Sequence, residues 1–198
     1  MTRRAVVALL HPIGWHPPGV DPERWRHALA EDAVDLLNGL NEVTPAVAHA
    51  PGDGALAAAV TWPGTLRYPV PGATVTGALR AAAADGFDQA AVLAADAPDL
   101  PGLLVGKLLR PLTTRAVAVA PALDGAGLLG VACRLPVPAW LPEIDLDTAG
   151  AARIRHAAPA PTDVVSTPGW RRLRGAAALA GLDPAVEGWD ATRLLLGG

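Results

Sequence analysis

Ala90-Ala-Val-Leu-Ala-Ala-Asp96-Ala-Pro98-Asp99-Leu-Pro101 is the stretch that decides how this chain is read. Residues 91–95 carry no polar side chain. That is the pattern of a strand buried on both faces of a parallel sheet. The run stops at Asp96, and open α/β sheets place ligands at the carboxyl ends of their strands. Pro98 and Pro101 then restrict the backbone and suit the first turn of a following helix. A plainer reading is also open at this point, in which the carboxylates only cap that helix.

Working outward, the same strand pattern appears at Arg4–Leu10, 115–120 and 128–133. Asp21-Pro22-Glu23 is a helix start with a cap, a proline in the first turn and an early acid. Trp25, Leu29, Ala33, Leu36, Leu37 and Leu40 follow at helical spacing, which predicts an amphipathic helix over 22–40. Further helices are predicted at 74–85, 101–110 and 148–154, and a second strand at 43–50. Residues 61–72, with three prolines and two glycines, read as a long surface connection. Strands alternating with helices, and no internal repeat, predict an α/β domain: a three-layer αβα sandwich around a mostly parallel sheet.

Composition narrows the function. The chain has 198 residues, enough for one α/β core, and 51% are hydrophobic, mostly Ala and Val. A formal charge of −3 argues against a nonspecific nucleic-acid binder. Lys107 is the only lysine, and Cys133 is the only cysteine, which excludes an intrachain disulfide. The longest uncharged run, 5–20, is broken by three prolines, so no membrane span is expected. Arg3-Arg4 before six apolar residues makes a poor signal peptide, and a cytoplasmic protein is expected. Six tryptophans in an aromatic-poor chain leave room for an interface, a homodimer being the simplest.

Three segments together resemble the GT-A-like nucleotide-diphospho-sugar transferase superfamily, and within it the MobA-like and CofC-like nucleotidyltransferases and the glycosyltransferase-like DUF2064 proteins. Val92-Leu-Ala-Ala-Asp96-Ala-Pro98-Asp99-Leu-Pro101 is similar to their strand ending in Asp-x-Pro-x-Leu. Ala118-Val-Ala-Pro121-Ala-Leu-Asp124-Gly125-Ala126-Gly127-Leu-Leu-Gly130 is similar to their Gly-Pro-x-x-Asp-Gly-Gly-Tyr-Tyr-Leu-x-Gly turn, without the tyrosines. Ile144-Asp145-Leu-Asp147-Thr148 is similar to the Asp-x-Asp-Thr before their last helix. The agreement covers roughly residues 75–155.

The resemblance implies a domain over 1–158, with 159–198 as a helical extension packed on it. It implies a nucleoside triphosphate or nucleotide sugar over the carboxyl edge of the sheet, transferred to or from a small acceptor. Asp96 would be a catalytic, Mg²⁺-binding carboxylate and Asp147 a second metal ligand; Asp124-Gly125 would belong to the acceptor or nucleotide loop, with Asp124 catalytic. A hard cation held by carboxylate oxygens neutralises phosphate charge during such transfers. The loop after the first strand, His11-Pro-Ile-Gly14-Trp15-His16-Pro-Pro-Gly19, would approach the phosphates through His11, Gly14, Trp15 and His16. Family members usually carry Lys or Arg there, and this loop has neither.

The other charged residues have plainer readings. Asp99 reads as a turn or cap residue, Asp145 as solvated or capping, and Arg171, Arg172 and Arg174 as a solvated face with reach to a phosphate as the alternative. Two functions stay open: a metal-dependent transferase, or a catalytically degenerate member of the fold serving as a ligand-binding or protein-interaction module.

Overall fold

Continuous apolar runs become the centre of the molecule because both of their faces are covered. The computed structural model describes residues 2–123 and 127–197. Its strands are β1 (Arg4–Leu10), β2 (Thr44–His49), β3 (Leu66–Pro69), β4 (Gln89–Ala94), β5 (Val117–Pro121), β6 (Leu128–Arg134) and β7 (Val164–Ser166). Its α-helices are α1 (Pro22–Asn38), α2 (Gly54–Val60), α3 (Val75–Ala84), α4 (Gly102–Leu109), α5 (Ala151–Ala157), α6 (Ala176–Ala180) and α7 (Asp190–Leu195).

The seven strands form one sheet in the order β3-β2-β1-β4-β6-β5-β7. All are parallel to one another except β6, which runs antiparallel to both β4 and β5. Along β1, Ala5, Val7 and Leu9 enter one core, and Val6, Ala8 and Leu10 enter the other. The period-2 geometry of a strand makes this division. Helices α1, α2 and α4 cover the second core; α3, α5 and the 141–149 segment cover the first. The fold is therefore the expected three-layer αβα sandwich.

Helix α1 begins as its sequence demands. Asp21 accepts from the Arg24 N–H at 2.9 Å, Pro22 occupies the first turn, and Ala30, Ala33, Val34 and Leu37 face the sheet. Such a cap is worth about 1 kcal/mol. The helix stops at Asn38, so Leu40 lies beyond it. Cys133 is buried in β6, and burial pushes its thiol up to about 12. No helix among the described residues is long and apolar enough to cross a membrane.

Two strands depart from expectation. Residues 66–69 form β3 inside the stretch read as a connection, and β7 lies in a C-terminal segment read as helical. Both are edge strands of three or four residues, where Pro69 leaves no central ladder bond unmade. Five of the six tryptophans are buried or half-buried, leaving Trp62 exposed, so the packing of this domain accounts for most of them.

The C-terminus is fastened to α1 by a buried acid. Asp32, 1% exposed, accepts from the Ala191 and Thr192 N–H groups at the start of α7, at 2.9 and 2.8 Å. Burial outweighs these bonds and raises its carboxyl from 3.8 to about 6. The folded protein thus holds this proton more tightly than the unfolded chain between about pH 4 and pH 6. Stability from Asp32 is fully present below that window and lost as pH rises through it, by about 3 kcal/mol. Asp32→Asn, which imitates the protonated acid, flattens this dependence; urea titrations of both proteins between pH 4 and pH 7 measure the difference.

Candidate functional site

The strand order reverses direction between β1 and β4, and the crevice at such a reversal is where open α/β sheets bind ligands. His11 follows β1 directly, and Asp96 follows β4 by two residues. Both are buried, His11 at 7% and Asp96 at 1% exposure. Asp147 reaches the same place from the turn at 146–148 before α5, with its side chain half-exposed. Three of the sequence-predicted site residues are thereby brought together from distant parts of the chain.

What joins them is a residue that local spacing does not single out. Arg172 is fully buried and lies between the acids. Its Nε donates to Asp96 Oδ1 at 2.6 Å and its Nη2 to Asp96 Oδ2 at 2.9 Å. The Nη2 also stands 2.7 Å from Asp147 Oδ1 and 2.6 Å from His11 Nε2. Nη1 donates to the carbonyls of Leu128 and Leu146 at 3.2 and 3.1 Å. A guanidinium has five N–H groups, and at least six acceptors surround this one.

His11 completes the cage. Its Nδ1 lies 3.1 Å from the Leu9 carbonyl, which can only accept, so Nδ1 carries the proton and Nε2 is left to accept from Arg172. Asp96 Oδ2 is farther from that nitrogen, at 3.4 Å. Burial works to raise the Asp96 carboxyl; the Arg172 guanidinium forked across both its oxygens opposes burial, and the carboxyl is held below its ordinary value. For Arg172, burial works against the charge, and the two carboxylates overcome it and lift the guanidinium above its ordinary value. Arg174 adds a second cation 3.6 Å from Asp147.

The segment carrying Arg172 is set by the sheet. Beyond β7 the chain continues beside the end of β5, where Thr167 N–H donates to Val119 O and Trp170 N–H to Pro121 O. Gly169 passes so close that an added Cβ would lie 2.1 Å from the Pro121 carbonyl oxygen. The chain then crosses the carboxyl edge, and Leu173 N–H donates to the Asp96 carbonyl at 2.7 Å. Asp99 is no cap. It is 1% exposed, accepts from Trp170 Nε1 at 3.1 Å and pairs with Arg171, which stacks over the Trp170 ring. Of the arginines expected to form a solvated face, Arg172 is buried and Arg171 and Arg174 are partly so. Asp145 folds back on the exposed side, accepting from the Asp147 N–H at 2.7 Å.

The loop after β1 serves two places. His11, Gly72, Thr74, Asp145 and Asp147 line a cavity of about 110 Å³ beside the Arg172 cage. Trp15 and His16 line a second one of about 240 Å³ with Trp25 and Arg26. Trp15 packs edge-on against the buried Trp25, ring centres 6.1 Å apart, so its ring is held by the interior. Gly14 has open space where a Cβ would go and no left-handed φ, so its backbone conformation does not require glycine. Asp124 and Gly125 lie outside the described residues.

The chain shares its fold with solved structures of nucleotide-diphospho-sugar transferase type. A candidate nucleotide-diphospho-sugar transferase from Desulfovibrio desulfuricans G20 superimposes with a TM-score of 0.70 at 21% identity, over 100% of this chain and 95% of that one. The 4-diphosphocytidyl-2C-methyl-D-erythritol synthase of Anaerococcus prevotii gives 0.61 at 9% identity, over 98% of each chain. Glucosyl-3-phosphoglycerate synthase from Mycobacterium tuberculosis, in complex with Mg²⁺ and uridine diphosphate, gives 0.56 at 14% identity, over 88% of this chain and 71% of that one. No protein-family model and no curated protein matches the sequence.

The arrangement of this chain's own residues does not fit a divalent ion at Asp96 and Asp147. Mg²⁺ takes oxygen ligands at roughly 2.0–2.1 Å in octahedral geometry. Arg172 Nη2 already stands between the two carboxylates. Among the described residues no group of three or more His, Cys, Asp or Glu is placed to hold a metal.

Removing one partner of a buried pair costs about 3–5 kcal/mol, whereas replacing both by apolar groups of similar volume is often neutral. Arg172→Ala is therefore expected to lose about that much in chemical denaturation, and Asp96→Leu/Arg172→Met most of it less. In the native protein the contribution of Asp96 holds from neutral pH to about pH 4 and vanishes as pH falls toward 2, because its folded-state affinity for a proton is depressed.

A second variant probes the cradle. Gly127 has φ +95°, and a Cβ there would lie 2.3 Å from the Leu146 carbonyl that receives Arg172 Nη1. Gly127→Ala is expected to cost about 2–3 kcal/mol in the same measurement and to shift the Asp147 amide resonance.

Proposed function

We propose that the chain is a nucleotidyl- or glycosyl-transferase-like protein that receives a nucleoside triphosphate or nucleotide sugar, and a small acceptor, over the carboxyl edge of its sheet. The observation that carries this reading is the meeting of His11, Asp96 and Asp147 at the β1/β4 crevice. The fold of proteins that hold UDP or a cytidine nucleotide supports it in general terms. The adjoining cavity of about 110 Å³ suits a phosphate or part of a sugar, well short of the roughly 300 Å³ of a small-molecule site. The rest of the ligand would lie across the open rim. Thr74 begins α3 at that rim, and the positive end of a helix favours an anion nearby. No metal-dependent step is assigned, since the Mg²⁺ expected on Asp96 and Asp147 meets the Arg172 guanidinium instead.

A second reading is favoured by that same guanidinium. The Arg172 donors are engaged by Asp96, His11 and backbone carbonyls, and the 11–19 loop has no Lys or Arg to grip a polyphosphate. A degenerate member of the fold, binding a ligand or partner without turnover, meets this description.

Thermal shifts with nucleoside triphosphates and UDP-, CDP- and GDP-sugars, each in EDTA and in Mg²⁺, separate the two. Binding at about 100 times Kd adds about 2.7 kcal/mol, a rise of roughly 5–10 °C. Amide shifts in NMR should then cluster at residues 11, 72–74 and 144–147. A flat response across the panel would reject the nucleotide reading and leave the interaction module.

A further inference from the structure

We infer that the Arg172 guanidinium is the resident cation of this site, standing where a divalent ion would otherwise bridge Asp96 and Asp147, so that whatever anion the crevice accepts is bound without metal. The inference rests on the crevice being the ligand site, and extends it to the site's cation requirement.

Charge and geometry carry it together. Among the described residues, Asp96 and Asp147 bring two negative charges to the cluster and Arg172 and Arg174 bring two positive ones. A carboxylate as buried as Asp96 needs a paired charge. Arg172 supplies it with a two-point fork across both Asp96 oxygens, the geometry that distinguishes arginine from lysine. The bridging to Asp147 is made by the same Nη2 that engages Asp96 Oδ2. For a divalent ion to take that position, the guanidinium would have to withdraw from two carboxylates, His11 and two carbonyls at once. The backbone opposes such withdrawal: residues 169–173 are pinned through Trp170 to Pro121, Arg171 to Asp99, and the Leu173 N–H to Asp96 O. The arginine is therefore a built part of the sheet edge, delivered by a segment that the two neighbouring strands hold in place.

The two carboxylates and the His11 ring all lie within 2.9 Å of the Arg172 Nη2 position. Remove the guanidinium, and Asp96 and Asp147 face one another across the space it filled, with His11 Nε2 beside them. Carboxylate oxygens and an imidazole suit Mn²⁺. The native chain is thus closed to divalent ions by one side chain.

Mn²⁺ is a suitable probe, followed by the loss of its free EPR signal on binding. With wild-type protein and Mn²⁺ alone, any weak association is expected to be unaltered by Asp147→Asn. Arg172→Gln is expected to bind Mn²⁺ at least about tenfold more tightly than wild type, and to gain thermal stability from the ion. Adding Asp147→Asn to Arg172→Gln should abolish that gain. Mn²⁺ binding by wild type that disappears in Asp147→Asn overturns the inference, and that arm needs no substitution at Arg172, so a poorly folding Arg172→Gln does not block the test. A well-folded Arg172→Gln that gains no affinity for Mn²⁺ also overturns it. The nucleotide panel in EDTA is a separate readout: no nucleotide response with the Mn²⁺ results as expected removes the nucleotide reading alone. A nucleotide response present only with Mg²⁺ and lost in Asp147→Asn removes the inference alone.

Discussion

The two-point pairing of Arg172 with Asp96 is the interaction on which the rest of the carboxyl edge depends. Asp96 lies just beyond the central strand at 1% exposure, where an ionised carboxylate survives only with a charged partner. Once the guanidinium is seated there, its remaining N–H groups fix three other pieces of chain: the His11 ring after β1, the Leu128 carbonyl of β6 and the Leu146 carbonyl before Asp147. One side chain thereby ties the ends of two central strands to two later segments. A network satisfied this fully rigidifies its surroundings, because any single displacement strands several buried polar groups.

The same network separates the fold from its customary chemistry. The fold is shared with proteins whose names describe sugar-nucleotide transfer or synthesis. Here the pair is already neutralised from within. A scaffold can keep its crevice while the groups lining it change, and the function must be read from those groups.

Sequence disclosed the scaffold well because its signals are local. Strands β1 and β4 are buried on both faces and so carry unbroken apolar runs; α1 has its cap, its proline and a 3.6-residue period in one stretch. Strands β3 and β7 escaped because an edge strand of three or four residues needs neither alternation nor length. At the site, the positions of Asp96, His11 and Asp147 were legible from the strand ends and the resemblance. The partner that binds them was not, since Arg172 lies 76 residues from Asp96 and sits in what reads as a charged surface run. One signal did exist: converging carboxylates need a cation, the loop at 11–19 has none, and residues 171–174 hold the densest cluster of arginines.

The position of Arg172 along the chain also bears on how the protein is made. The middle of the sheet is built around β1 and β4, yet the charge that neutralises its inner acid comes from 76 residues beyond Asp96. A nascent polypeptide still on the ribosome holds β1 and β4 with Asp96 unpaired, and can form the crevice only in an open, incomplete state. The guanidinium arrives only with a segment far along the chain, so closure of this edge is a long-range step of folding.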